Sequence, residues 1–141
     1  MRLTQLLFGR PRPGSATADL GLAIFRVVAG LSLALLHGLG KVPPSEGLVG
    51  MVGGMGLPAP GIMAWLAAFA EFGGGILLAV GLLTRPISLL LVGHFAIVIM
   101  LAHAGDPIGD RELPILFLAT ALLYLLAGPG RFSVDGAIRR S

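Results

Sequence analysis

The stretch AWLAAFAEFGGGILLAVGLL, residues 64–83, decides the fold class. Every residue in it is apolar or glycine except Glu71. A helix needs about 20 residues to cross the roughly 30 Å apolar core of a bilayer, and this stretch supplies them. Glu71 sits near the middle, where an ionised carboxylate must be paired or must take up a proton. The stretch therefore predicts a membrane-spanning helix that carries a chemical group at its centre.

Three further apolar runs lie around it. The expected spans are residues 19–38, 61–83, 86–104 and 113–127. Pro60, Pro86 and Pro114 suit helix starts, because a first turn has no intrahelical acceptor for its N–H groups. The fold class read from this is an all-α membrane protein, a four-transmembrane-helix bundle. The helical domain covers residues 18–130, after a basic lead-in at 1–17 and before a tail at 131–141. The lead-in has the look of a signal-peptide n-region, but the apolar run behind it is long and lacks a clear cleavage site, so it reads as a retained anchor.

Composition agrees. The chain has 141 residues, 55% of them apolar and 12% charged, against about 25% charged in soluble domains. A soluble fold this small could not bury so much apolar surface, so the lipid bilayer is the first partner. The net charge of +3 comes from ten basic residues with no basic run among them, which argues against nucleic acid. Cysteine is absent. That excludes disulfides, thiolate zinc sites and cysteine-held iron–sulfur clusters. A redox role would have to use a bound cofactor or a partner subunit.

Basic residues also give orientation. Arg2, Arg10, Arg12, Arg85, Arg131, Arg139 and Arg140 fall on one side, Lys41 and Arg111 on the other, with Arg26 inside a span. The positive-inside rule then puts both termini in the cytoplasm. The expected location is the bacterial cytoplasmic (inner) membrane. Between the first two spans, Gly47, Gly50, Gly53 and Gly56 recur every third residue. This pattern fits a short interfacial helix with its glycine ridge against the bundle, and equally a flexible glycine-rich loop.

Polar groups in the apolar spans are the candidate site. Arg26 lies about 10 Å into the first span, where it either snorkels to the headgroups or faces the bundle. Arg26, Gly30, Ala34, His37 and Lys41 share a stripe, and Gly30, Ala34 and Gly38 form a small-residue series that admits a close neighbour. By depth, the nearest partners for Glu71 are Arg26 and His94. His37 and His103 share the outer boundary and could flank a quinone head group or a haem, whereas His94 and His103 are nine apart on opposite helix faces. Gly73, Gly74 and Gly75 allow close approach of a helix or a flat ligand. No metal-binding pattern such as HExxH is present.

With those pieces in order the chain resembles the DoxX family of small bacterial membrane proteins. The resemblance rests on FRVVAG at 25–30, HGLGK at 37–41, GLPAP at 56–60, AEFGGGILLAVGLLTR at 70–85 and GPGRFSVDG at 128–136. It implies a four-helix bundle, a link to the DoxD subunit of thiosulfate:quinone oxidoreductase, and assembly with redox and oxidative-stress proteins. The positions that match family-typical ones are Arg26, His37, Lys41, Glu71, Gly74, Thr84, Arg85, Arg131 and Asp135.

The resulting expectation is a membrane subunit of a quinone-linked redox system. Glu71, His37 and Arg26 are its candidate catalytic groups, and Lys41, Gly74, His94 and His103 its candidate cofactor-binding groups, with no metal. Quinone is the first candidate cofactor and haem the second. The alternative is a non-enzymatic scaffold or assembly subunit for a partner protein, so whether the chain is an enzyme stays open. Redox-complex subunits and further copies of this chain are the candidate protein partners. A small carrier or lipid-binding protein ranks last, because no inverted repeat or broken-helix pair is visible.

Overall fold

Ser15 starts the first helix: its hydroxyl accepts the Ala18 N–H at 3.1 Å, satisfying one of the donors a helix start leaves unpaired. The computed structural model describes residues 14–141. Most of the basic lead-in, residues 1–13, lies outside the described residues. Helix α1 runs Ala16–Lys41. It is followed by a short α2, Glu46–Gly54, capped by Ser45, by α3, Pro60–Val80, and by α4, Thr84–Ala102. A 3-10 turn at Ile108–Arg111 leads into α5, Glu112–Ala127. The C-terminal α6, Val134–Arg140, is capped by Ser133. Among the described residues there is no strand.

Helices α1, α3 and α4 are long and apolar enough to cross a membrane. Helix α5, with 16 residues, spans about 24 Å at 1.5 Å per residue. The helix ends lie within three residues of the ends expected for the apolar runs. The shifts have local causes. Helix α1 gains a turn at each end, from the Ser15 cap and from a continuation to Lys41. Helix α3 stops at Val80 because Gly81 takes the left-handed conformation, φ 73°, the usual way to terminate a helix.

The small residues of α1 face α3, as expected. A Cβ on Gly30 would lie 2.6 Å from the Gly75 carbonyl oxygen, and one on Gly38 2.5 Å from Phe72 Cα. Ala34 is fully buried between them. The two antiparallel backbones therefore touch along a glycine seam, the packing that gives apolar helices an association energy where the hydrophobic effect does not act.

Helices α4 and α5 pair on the other side. Leu91, Phe95, Phe117, Ala121 and Tyr124 form a core with Leu33 of α1 and Leu78 of α3. The Tyr124 hydroxyl donates to the Leu22 carbonyl at 2.5 Å and closes α5 onto α1. Outward-facing side chains are apolar, with Leu36, Met100 and Leu126 among the most exposed, as a lipid-facing surface requires.

The segment between α1 and α3 is a helix rather than a loop, and little of its glycine ridge meets the other helices. A Cβ on Gly50 or Gly56 would meet nothing within 4 Å, and one on Gly53 would lie 3.4 Å from Pro60 at the start of α3. Val52, on the other face, is the residue that α2 buries. Burying a valine gains more than burying a glycine, and this sets the helix's rotation.

Candidate functional site

Three helices loosen at one end of the molecule. Residues 32–38 of α1, 69–73 of α3 and 98–102 of α4 are π-helical. Leu39 N–H reaches back to the Ala34 carbonyl, Gly74 N–H to Phe69 and His103 N–H to Val98, each five residues earlier. Such turns are rare and widen the helix by one residue per turn, and they recur at functional sites. Here they carry or immediately precede His37, Glu71 and His103.

Glu71 is buried, its side chain only 5% exposed. Each carboxylate oxygen has one partner: Lys41 Nζ donates to Oε2 at 2.5 Å and His94 Nε2 lies 2.8 Å from Oε1. Lys41 reaches it because α1 continues past His37, and because Gly38 lets the helix lie directly on the Glu71–Phe72 peptide. A charge-assisted hydrogen bond is roughly twice as strong as a neutral one, so an ionised Glu71 is well held at this depth. Lys41 is the more exposed of the two, its side chain 34% accessible. The cluster thus runs from a wet lysine to a dry carboxylate to a half-buried imidazole.

The lysine and the carboxylate open onto a cleft of about 280 Å³. His37, His103 and Asp110 also line it, and Leu33, Phe95, Val98, Leu113 and Phe117 supply apolar walls. Phe95 stacks on Phe117 with ring centroids 5.3 Å apart, and His37 meets Phe117 edge-on at 5.5 Å. At the mouth, His103 Nδ1 lies 2.7 Å from Asp106 Oδ2. Arg111 donates to the Ala104 and Asp106 carbonyls and ties the intervening loop together.

The fold brings together Glu71, His37, Lys41 and His103, with His94 behind the carboxylate. It does not bring in Arg26 or Gly74. Arg26 is 2% exposed and belongs to a separate cluster at the other end of α1. Its guanidinium donates to the carbonyls of Pro129, Phe132 (2.7 Å) and Ala79 (3.4 Å). The pairing of Arg26 with Glu71 suggested by depth is therefore not made; Lys41 takes that role. A Cβ on Gly74 would lie 3.5 and 3.7 Å from Leu91 and Ile87 of α4, a packing contact between helices. Asp110 is a cleft residue that the sequence reading passed over. Its signal was the acidic GDPIGDRE at 105–112, which marks the loop without showing that it folds back.

Residues 21–104 match the DoxX family model, well over half of the chain. The chain belongs to the DoxX family. All five residues of the cleft cluster, His37, Lys41, Glu71, His94 and His103, lie inside that segment of the DoxX match. The chain is 30% identical over 118 residues to "Putative oxidoreductase CatD" of Bacillus subtilis, covering 83% of this chain and 86% of that one. It is 29% identical over 126 residues to the "Inner membrane protein YqjF" of Escherichia coli, covering 86% and 95%. The E. coli "Inner membrane protein YphA" is 25% identical over 137 residues, covering 91% and 93%. No solved structure matches the chain. Family, relatives and three membrane-length helices together place this DoxX chain in the bacterial inner membrane as a multi-pass protein.

The carboxylate cluster makes a measurable prediction. Lys41→Met leaves Glu71 with His94 alone and is expected to cost about 1–2 kcal/mol, near the lower end for orphaning a buried charged acceptor because the lysine is partly wet. In the double variant Lys41→Met/Glu71→Gln the cost should fall below the sum of the single changes by about 1 kcal/mol. Thermal melts in detergent give the cycle, and additivity within about 0.3 kcal/mol would show the two groups to be uncoupled.

Proposed function

We propose that the cleft takes the head group of a membrane quinone and that the chain is the quinone-handling membrane subunit of a redox system. The observation that carries this reading is the buried Glu71, held between Lys41 and His94 on the wall of a cleft that combines apolar walls with His37, His103 and Asp110. A flat ring with two carbonyls needs apolar walls, a polar group at a carbonyl and a proton route. The stacked Phe95 and Phe117 and their neighbours provide the first. Lys41 provides a cation for a carbonyl oxygen, and Glu71 and His37 are groups that can hold and pass protons. The volume, at the lower limit of small-molecule sites, suits a ring head group whose tail stays in lipid. The name of the B. subtilis relative, an oxidoreductase, supports the same class.

A bound quinone supplies two-electron, two-proton redox chemistry. The chain's part is positional and protonic. Lys41 would stabilise negative charge at a carbonyl oxygen, and Glu71 with His94, and His37 one turn before Lys41 on α1, would hold and pass protons beside it. In this reading the two electrons would come from a reduced partner subunit; without cysteine the chain holds no thiolate-ligated cluster of its own. Arg26, expected to act in the cluster, has no part in this chemistry.

The same proposal includes α5 as a fourth span, which makes the molecule a four-helix transmembrane bundle with both termini in the cytoplasm. Its support is the packing of α5 along α4, the length added by the preceding 3-10 turn, and the excess of arginine on the terminal side.

Glu71→Gln keeps the shape and removes the proton carrier. It is expected to slow quinone reduction attributable to the protein, measured as the difference between membranes with and without the chain, by about a hundredfold. An unchanged rate, with the variant inserted at the wild-type level, would rule out the proton role.

A further inference from the structure

The end of the molecule away from the cleft holds a second cavity, of about 280 Å³. It lies where the start of α1, the end of α5 and the C-terminal helix α6 meet. Leu22, Tyr124 and Ala127 form its inner wall, and Arg131, Arg139 and Arg140 its rim. Asp19 is the one carboxylate among the lining residues, with Arg131 Nε 3.5 Å from its Oδ2. Asp135 acts on Arg139 from the same helix, so Arg131 and Arg140 are the rim cations open to an anion.

The surroundings say what kind of anion fits. Phe132 and Ile138 are about half exposed beside the arginines, and Leu126 is 73% exposed on the adjacent turn of α5. Large apolar side chains next to arginines at the end of membrane helices sit among acyl chains while the guanidinium groups reach the headgroup layer. Basic pockets between helices at that level bind anionic headgroups. An anion held here would have its charged part in the arginine rim and an apolar part along Leu126 and Phe132.

We propose that this cavity is a phosphate-binding site whose occupant is an acidic glycerophospholipid, with the phosphodiester between Arg131 and Arg140 and the acyl chains against α5. The site is independent of the quinone cleft. Its occupant anchors α6 and the start of α1 to the inner leaflet side on which the arginines lie.

Native mass spectrometry of the full chain in mild detergent tests this, with phosphatidylglycerol and phosphatidylcholine as probes. At about fivefold per arginine, the two rim arginines Arg131 and Arg140 predict that phosphatidylglycerol binds about twentyfold more tightly. Arg131→Gln/Arg140→Gln should bring the two lipids to within about threefold of each other, and the double lysine variant should keep most of the preference. Both arginines are exposed, so these variants remain folded. Excess inorganic phosphate distinguishes the sources. Lipid binding that resists it supports the glycerophospholipid, and displacement assigns the site to a soluble phosphate instead. Equal binding of the two lipids by the wild type, or a preference that survives in the glutamine variant, would overturn the proposal.

Discussion

Gly38→Val is expected to lower the melting temperature in detergent by about 10 °C, or about 3 kcal/mol. The reason is what the new side chain meets. A Cβ at residue 38 would lie 2.5 Å from Phe72 Cα and 2.6 Å from the Glu71 carbonyl carbon. These are backbone atoms of α3 and have no rotamer by which to move aside. Helix α1 must lift away, and with it goes the contact of Lys41 with Glu71. A valine here therefore does two things that substitutions elsewhere on the seam do not: it loosens the α1–α3 packing and pulls the cation from the buried carboxylate. Gly38→Ala should do the same to a smaller extent. Gly50→Val, on the open face of α2, is the control and should melt within about 2 °C of the wild type, since exposed changes rarely exceed about 0.5 kcal/mol. A Gly38→Val variant as stable as that control would refute the packing described.

The second large effect is expected at Arg26. Arg26→Met keeps the length and removes the donors, leaving the Pro129, Phe132 and Ala79 carbonyls without the partner that now satisfies them. At about 1–3 kcal/mol for each buried group left unpaired, reduced by relaxation of the turn, the loss should be about 3–5 kcal/mol. The turn at 128–133 would detach, and α6 with it. Asp135 on α6 is fully buried and accepts the N–H groups of Leu83 and Thr84, both at 2.8 Å. Those bonds hold Leu83 in a left-handed conformation, φ 51°, that costs roughly 1 kcal/mol. So the loss of Arg26 should also free the start of α4. Limited proteolysis at the C-terminal segment should be faster in Arg26→Met than in Arg140→Gln, a change at an exposed residue. Equal rates would mean that Arg26 does not fasten the segment.

The contrast between these two positions shows what the sequence carries. Gly38 belongs to a small-residue series whose period is visible in a single helix, and the face it marks is the face that packs. Glu71 is equally legible, because a carboxylate among nineteen apolar and glycine residues must be satisfied by something. Which group satisfies it is not a local property. Depth along the membrane made Arg26 a candidate, but Arg26 is claimed by three carbonyls, two of them more than a hundred residues away in sequence, in a turn that folds back only in three dimensions. Lys41 looked like the far end of a span and became the partner because the helix continues to it.

The π-helical turns were not legible at all. SLALLHG, FAEFG and VIMLA have ordinary helical composition, and the extra residue in each turn follows from how the helices fit together. Those turns nonetheless set the positions of His37, Glu71 and His103. The glycines of α2 were ambiguous in the sequence, fitting a helix and a loop equally; the segment is a helix that buries Val52, and of its glycine ridge Gly53 comes near Pro60 of α3.

The most direct test of the central claim, that the Glu71 cleft receives a quinone, is mass spectrometry of an organic extract of the protein purified in mild detergent, wild type beside Phe117→Ala. The phenyl ring of Phe117 forms part of the apolar wall, stacked on Phe95 and edge-on to His37, and its removal leaves Glu71 and its partners in place. The account predicts quinone retained near one per chain in the wild type and at least about tenfold less in the variant, the size expected for losing an aromatic wall from a small site. Quinone at the level of bulk membrane lipid in both proteins, or equal retention in both, would contradict it.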